Sequence, residues 1–228
     1  DPGFNPDKVL TLQFNLPGRR DVGNETVLRY QTPESRNAFV DRLLERVRAL
    51  PGVAHAGTTS RLPFTTGDTT LVYAIDGRVP QETQNWPNAQ IRWVTPEFFD
   101  TLQIPLARGR NFTSQDRTPS PPVLIINEAL ARRSFPGEDA LGKRLIVGGS
   151  NNKPGEIVGI VRNTQEADLR ETQRALIYLP YLQNPNANIR LAVKTQGDPA
   201  ALANPLRREI AALDKDIAIF NVQTMEEV

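Results

Sequence analysis

The sequence predicts an α+β fold of two subdomains, one assembled from both chain ends and one inserted between them. Three observations carry that expectation. A strand-helix-strand pattern opens the chain, a second one closes it, and the stretch between, roughly Arg61 to Leu182, is rich in short strands. Two β-α-β units side by side form a split, ferredoxin-like sheet with both helices on one face. The expected boundaries are 1–62 plus 183–228 for this paired subdomain and 63–182 for a strand-rich, mixed α/β insert.

Each element has its own signal. Val9 to Leu16 reads VLTLQFNL, alternating apolar and polar residues as a half-buried strand does, and Pro17-Gly18 ends it. The polar stretch Arg19 to Thr32 reads as a loop. A helix follows, with Ser35 as its candidate cap and Phe39, Val40, Leu43, Leu44, Val47 and Leu50 at helical spacing. Pro51-Gly52 stops it, and Val53 to Thr59 is the second strand.

At the far end Ile189 to Thr195 alternates as a strand. Asp198 is placed to cap a helix with Pro199 at its first position. Leu206, Ile210 and Leu213 form the apolar stripe, and Ile217 to Val222 is the closing strand. Pro205 either kinks this helix, or Asn204-Pro205 is its true start. The stripe steps by four and then three, as Leu43, Val47 and Leu50 do, which makes a weak internal repeat.

In the insert the strand candidates are Leu71 to Ile75, Ala89 to Val94, Val123 to Ile126, Arg144 to Val147, Glu156 to Val161 and Leu176 to Leu179. One short helix starts at Thr95-Pro96 and carries Phe98, Phe99 and Leu102; another runs near Asn127 to Ser134 and stops at Pro136-Gly137. The two crossings between subdomains, near Thr59 to Phe64 and near Pro180 to Asn188, are the expected hinges. The Asn and Pro content of the second permits a modest tilt.

Composition excludes several functions. The chain has 228 residues, 27 Lys+Arg against 26 Asp+Glu, one His and no Cys. That charge balance argues against a nucleic-acid binder. Without cysteine there are no disulfides, thiolate metal sites or cysteine nucleophiles. The lone His55 disfavours zinc sites and hydrolytic triads. No apolar run is long enough to span a membrane. The chain starts at Asp1 without methionine or a signal-like segment, so a piece of a longer protein is expected.

Gly137 to Lys143 has the G-x-x-x-x-G-K spacing of a phosphate loop. A helix precedes it, a strand follows, and Arg144 replaces the magnesium-binding hydroxyl, so a plain turn is expected. Gly148 to Asn152 lies between strands as a hairpin loop, and Asp214 and Asp216 fit a helix-to-strand turn without calcium. His55 is read as structural or solvent-facing. Asn24-Glu25-Thr26 and Asn111-Phe112-Thr113 match the glycosylation acceptor, a match frequent by chance. Trp86, Trp93, Phe98 and Phe99 form the densest aromatic group, read as core packing rather than a contact surface. These readings leave no catalytic, cofactor-binding or metal-binding residue to assign.

Nearly the whole chain resembles one family. Arg48-Ala49-Leu50-Pro51-Gly52-Val53 and Ser60-Arg61-Leu62-Pro63 look like the start of the MacB-type periplasmic core domain. Val94-Thr95-Pro96-Glu97-Phe98-Phe99, Ile104-Pro105-Leu106 and Gly109-Arg110-Asn111-Phe112 are similar to its middle. So are Val123 to Ala129, Phe135 to Asp139 and Leu141-Gly142-Lys143. Ile157 to Val161, Ile177 to Tyr181 and Thr224 to Glu227 follow in order. The nearer likeness is to the duplicated permeases of acidobacteria.

The resemblance implies an extracytoplasmic, non-catalytic domain of an ABC transporter permease of the MacB, LolC and FtsX type. It implies a Porter-like paired subdomain and a Sabre-like insert, tethered by flanking transmembrane helices on the periplasmic side of the bacterial inner membrane. It implies a cytoplasmic ATPase that does not touch this piece, and a periplasmic adaptor or second permease copy as partner, with no cofactor. Such a domain relays ATP-driven motion, a mechanotransmission role in efflux. The matching motifs read as fold determinants, with Gly109, Gly142 and Gly159 at turns or close contacts. A different class remains open: a stand-alone periplasmic binding protein or hydrolase with a cleft between subdomains.

Overall fold

The computed structural model describes residues 2–22, 25–65, 67, 69–79, 82, 85–148, 152–165 and 174–228, with side chains left undescribed over 20–22 and 25–27. It divides into two compact units. A sheet unit comprises Asn5–Leu62, Glu97–Gln103 and Asn184–Val228, and a barrel unit comprises Asp1–Phe4, Pro63–Pro96 and Ile104–Gln183.

The sheet unit is built on four antiparallel strands, β1 (Val9–Asn15), β4 (Val53–Thr59), β12 (Asn188–Thr195) and β13 (Ile219–Thr224). Their order is β4-β12-β1-β13. Helix α1 (Pro33–Arg48) connects β1 to β4, and α4 (Ala203–Leu213) connects β12 to β13. This is the order that two interleaved β-α-β units produce. The buried stripe of α1 is Phe39, Val40, Leu43, Leu44 and Val47, and α4 adds Leu206 and Ile210. The helices pack side by side and Arg46 pairs with Glu209 at 2.6 Å.

Local chemistry corrects several boundaries. Thr32, not Ser35, caps α1: its hydroxyl accepts from the Ser35 N–H and Pro33 takes the first turn. Asp198 caps a 3-10 turn, Pro199–Leu202, and α4 begins after it. Pro205 therefore falls in the first turn of α4, where a missing N–H costs no helical bond. The closing strand starts at Ile219 rather than Ile217, because Ile217 is spent in the turn hydrogen-bonded to Asp214. The presumed loop holds a two-stranded hairpin, β2 (Arg19–Val22) and β3 (Glu25–Leu28).

A third helix joins this unit. α2 (Phe98–Leu102) lies against β4 and β12, inside a segment expected to belong to the insert. Gly57 makes this possible. A Cβ there would stand 2.7 Å from the Phe98 backbone nitrogen. Conversely, residues 2–4 join the barrel unit, where Phe4 stacks on Phe64 at 5.9 Å and Gly3 sits on the Asn163 carbonyl. The chain passes between the two units after Phe4, Leu62, Pro96, Gln103 and Gln183.

In the barrel unit six strands close on themselves. They are β5 (Thr70–Ile75), β6 (Asn88–Val94), β11 (Leu176–Pro180), β8 (Val123–Asn127), β10 (Gly155–Val161) and β9 (Arg144–Val147), each paired with the next and β9 with β5. The β6–β11 and β8–β10 pairs are parallel and the others antiparallel. A short outer strand, β7 (Leu106–Gly109), pairs with β10. Tyr73, Ile91, Leu124, Ile126, Leu145, Ile157, Ile160 and Ile177 fill one core cluster. Helix α3 (Glu128–Ser134) and the turn after it add Leu130, Phe135 and Ala140. Asn127, fully buried, caps α3 through the Leu130 N–H (3.0 Å) and also accepts from the Leu176 N–H (3.1 Å).

Candidate functional site

The turn between α3 and β9 holds the glycine-spaced motif. Its N–H groups are used by its own chain: Gly142 donates to the Ile157 carbonyl (2.9 Å), Lys143 to that of Ala140 (3.2 Å), and Leu141 to the Asp139 carboxylate (3.0 Å). Lys143 reaches Glu138 at 3.3 Å. With these N–H groups engaged, the segment is built as a turn joining α3 to β9. Gly142 has φ +76°, a conformation that glycine adopts freely.

Beside this turn the surface is hollowed by about 270 Å³. Ala131, Phe135, Ala140 and Ile160 give it an apolar floor, and Arg108, Arg132 and Glu138 stand at its rim. The carboxylates at the rim are held by cations. Glu138 takes two hydrogen bonds from Arg78 (2.9 and 3.0 Å), and with Lys143 these hold its carboxyl below the usual range. Asp139 is lowered first by the Leu141 N–H and then by Arg108, 2.6 Å away. No single motif announces this place, because its residues come from β7, α3, β10 and the turn.

A second polar cluster lies in the sheet unit. Asp214, whose side chain is 1% exposed, is met by Arg29 at 2.5 Å and by the Tyr30 hydroxyl at 2.9 Å. Asp216 takes Arg29 at 3.1 Å and donates its own N–H to Asp214 at 3.0 Å. Tyr30 stands at φ +49°, stacked edge-on to Phe39 at 5.3 Å. Burial, then the bond to Asp214, push its phenol up to about 12. The pair of aspartates therefore receives a guanidinium and a phenol. Among the described residues no group of three or more His, Cys, Asp or Glu could hold a metal.

The remaining candidates separate. His55 is exposed on β4, opposite Lys194. The Asn111 amide donates to the Pro96 carbonyl at 2.8 Å and its oxygen accepts from Phe112, so it is committed to its loop. Asn24 and residues 149–151 of the Gly148 loop lie outside the described residues. Trp86 and Trp93 pack in the barrel unit, whereas Phe98 and Phe99 pack in the sheet unit. Gly109 and Gly159 are close-contact positions, with added Cβ atoms 2.3 Å from the Val158 oxygen and 2.4 Å from the Arg110 oxygen.

Residues 10–209 match the family model of the MacB-like periplasmic core domain. The chain belongs to that family. It is similar to the ABC transporter permease YvrN of Bacillus subtilis, 23% identical over 172 residues that cover 69% of this chain and 41% of YvrN. It is also similar to the macrolide export ATP-binding/permease protein MacB of Aggregatibacter actinomycetemcomitans, 25% identical over 150 residues covering 66% of this chain and 22% of MacB. It thus spans about two fifths or less of the relatives it matches.

Solved structures agree on the fold. The periplasmic region of MacB from Actinobacillus actinomycetemcomitans superposes with a TM-score of 0.59 at 16% identity, covering 96% of this chain and 90% of that one. The extracellular domain of the ABC-type transporter YknZ from Gram-positive bacteria gives 0.53 at 16% identity, covering 92% and 100%. The chain is thus a MacB-like periplasmic core domain with a mixed α/β fold. Among the described residues no helix is long and apolar enough to cross a membrane.

Proposed function

We propose that this chain is the non-catalytic extracytoplasmic domain of an ABC transporter permease, coupling ATP-driven membrane motion to a periplasmic partner or to substrate export. The single observation that supports this reading is the family match across residues 10–209. ATP binding and permease activity are named for MacB, of which this chain spans 22%. In this reading a cytoplasmic ATPase supplies the energy without touching the chain. A periplasmic adaptor or a second permease copy receives the motion, on the periplasmic side of the inner membrane.

The two subdomains follow from the same reading. The paired, Porter-like subdomain is 1–62 plus 183–228 and ferredoxin-like; the strand order β4-β12-β1-β13 supports it. The Sabre-like insert is 63–182, supported by the closed ring of strands within it.

The test is the parent gene on both sides of the fragment. Apolar segments of about twenty residues before Asp1 and after Val228, with an ATPase encoded in the same gene or beside it, are the expected result. A cleavable signal peptide upstream and a stop codon at the end would overturn it in favour of a free periplasmic protein.

A further inference from the structure

We infer that strands β2 and β3 form an arm latched to the α4–β13 turn and released by a swing about Tyr30. Arg29 and Tyr30 are one half of the latch, and Asp214 and Asp216 are the other. The inference goes beyond the permease reading and does not rest on it.

The arm's construction supplies the first argument. Its strands are four residues each, and among the described residues they pair only with one another. A two-stranded ribbon of this kind is at best marginally stable by itself, so it needs support from outside. Its base is where the described contacts supply that support. There the Arg29 N–H donates to the Gly18 carbonyl at 3.1 Å and closes the ribbon.

The latch supplies the second. The Arg29 guanidinium meets Asp214 at 2.5 Å and Asp216 at 3.1 Å, and the Tyr30 hydroxyl donates to Asp214 at 2.9 Å. These bonds tie the arm's exit to a turn 184 and more positions away. The chain beyond is fixed separately. Arg36 of α1 donates to the Tyr30 carbonyl at 2.8 Å and to the Pro185 carbonyl at 3.1 Å. Tyr30 therefore stands between the latched arm and a firmly held helix.

Strain supplies the third. Tyr30 has φ +49°. In a residue with a side chain this left-handed conformation weighs about five- to thirtyfold against the state that adopts it. Glycine would avoid the strain, but it has neither the hydroxyl that reaches Asp214 nor the ring that meets Phe39 at 5.3 Å. The contacts offset the strain. Breaking them returns Tyr30 to the ordinary negative-φ region and redirects the arm. One residue with two backbone basins gives two discrete states, as a hinge requires.

The test is native-state hydrogen exchange on the 228-residue chain. The amides of Arg29, β2 and β3 should exchange through an opening that leaves Leu12, Leu191 and Val193 closed, with protection at least about tenfold lower. Tyr30→Phe should raise the arm's opening about fivefold and Asp214→Asn about tenfold or more. Tyr30→Ala and Tyr30→Gly lose the same ring and hydroxyl, but alanine alone keeps the left-handed penalty. The arm should open about fivefold more in the alanine variant. If Asp214→Asn fails to fold, the Tyr30 variants still decide. Gly57→Ala, whose clash is with the Glu97 and Phe98 backbone, should weaken the central strands and leave the arm's opening unchanged. Arm amides as protected as the central strands, or weakened by Gly57→Ala, would make the hairpin a fixed part of the sheet unit and overturn the inference. Equal opening in the alanine and glycine variants would remove Tyr30 as the hinge, and an unmoved Arg29 amide in Tyr30→Phe would remove the latch; either result overturns it too. None of these outcomes bears on the segments flanking the chain, which test the permease reading.

Discussion

Replacing Asp214 by Ala removes the acceptor on which one end of the sheet unit converges. Its side chain is 1% exposed and serves Arg29 at 2.5 Å, Tyr30 at 2.9 Å and the Asp216 N–H at 3.0 Å. Breaking a buried ion pair by deleting one partner costs about 3–5 kcal/mol when the other charge is stranded. Arg29 is not fully stranded: its side chain is 22% exposed and keeps Asp216 at 3.1 Å. That lowers the charge penalty, while the half-buried Tyr30 hydroxyl loses its acceptor at about 1 kcal/mol. The expected loss is about 2–4 kcal/mol, or roughly 30- to 800-fold in an opening equilibrium. Tryptophan fluorescence is the wrong probe, because Trp86 and Trp93 both belong to the barrel unit. Native-state hydrogen exchange at Leu12, Leu191 and Val193, in the two central strands, reads the sheet unit directly. Protection should fall by that factor, and Asp214→Asn, which keeps an acceptor for Tyr30, should lose less. A fall under about fivefold, or an equal loss in both variants, would refute the view that Asp214 is a charged anchor.

Other expectations follow from the same geometry. The raised phenol of Tyr30 favours the folded state below its ordinary value of about 10, and this contribution is lost as pH climbs toward 12; Tyr30→Phe should flatten that alkaline loss, and an unchanged alkaline transition would count against it. Burial opposes the Asp116 charge, but Arg110 (2.8 and 3.0 Å) and the Thr113 N–H (2.8 Å) outweigh it and hold the carboxyl below its usual range. Its stabilisation is therefore present above about pH 4 and fades as pH falls through the lower folded value, so Arg110→Ala should shrink the acid-side loss measured by urea midpoint. Gly57→Ala sets a methyl 2.7–2.9 Å from the Phe98 and Glu97 backbone, with no flexible side chain to yield; about 1–3 kcal/mol should be lost, read as weaker exchange protection in β4.

The sheet unit was legible because its signals are local. Val9 to Asn15 alternates, α1 carries five buried apolar residues at helical spacing, and turn residues punctuate both β-α-β patterns. The errors have local physics too. Thr32 outcompetes Ser35 as cap because Pro33 already has the φ of a first helical residue. The β2–β3 hairpin stayed hidden because its strands are four residues each and polar, and because its anchors, Arg29 and Tyr30, answer to residues 184 and more positions away. The barrel's closure rests on Leu176–Pro180 meeting both β6 and β8, which no periodicity encodes.

The same contrast explains why the candidate site was invisible. A reaction centre concentrates unusual residues, and sequence motifs record that concentration. A surface hollow is lined by ordinary residues that the fold brings to one place. Arg108 and Arg132 are unremarkable in the chain and come together because β7 pairs with β10 while α3 follows β8, the strand on the other side of β10. The two glycines that let β7 approach, Gly109 and Gly159, carry the only trace of this in the sequence that we find. A Cβ at either would strike a backbone oxygen within 2.4 Å. Gly159→Ala should therefore push β7 outward and displace Arg108, with Phe135 and Ala140 left in place, read as amide shifts along β7 and β10. Unchanged amide shifts along Leu106–Gly109 in that variant would mean that the absent side chain at Gly159 is not what lets β7 pair with β10.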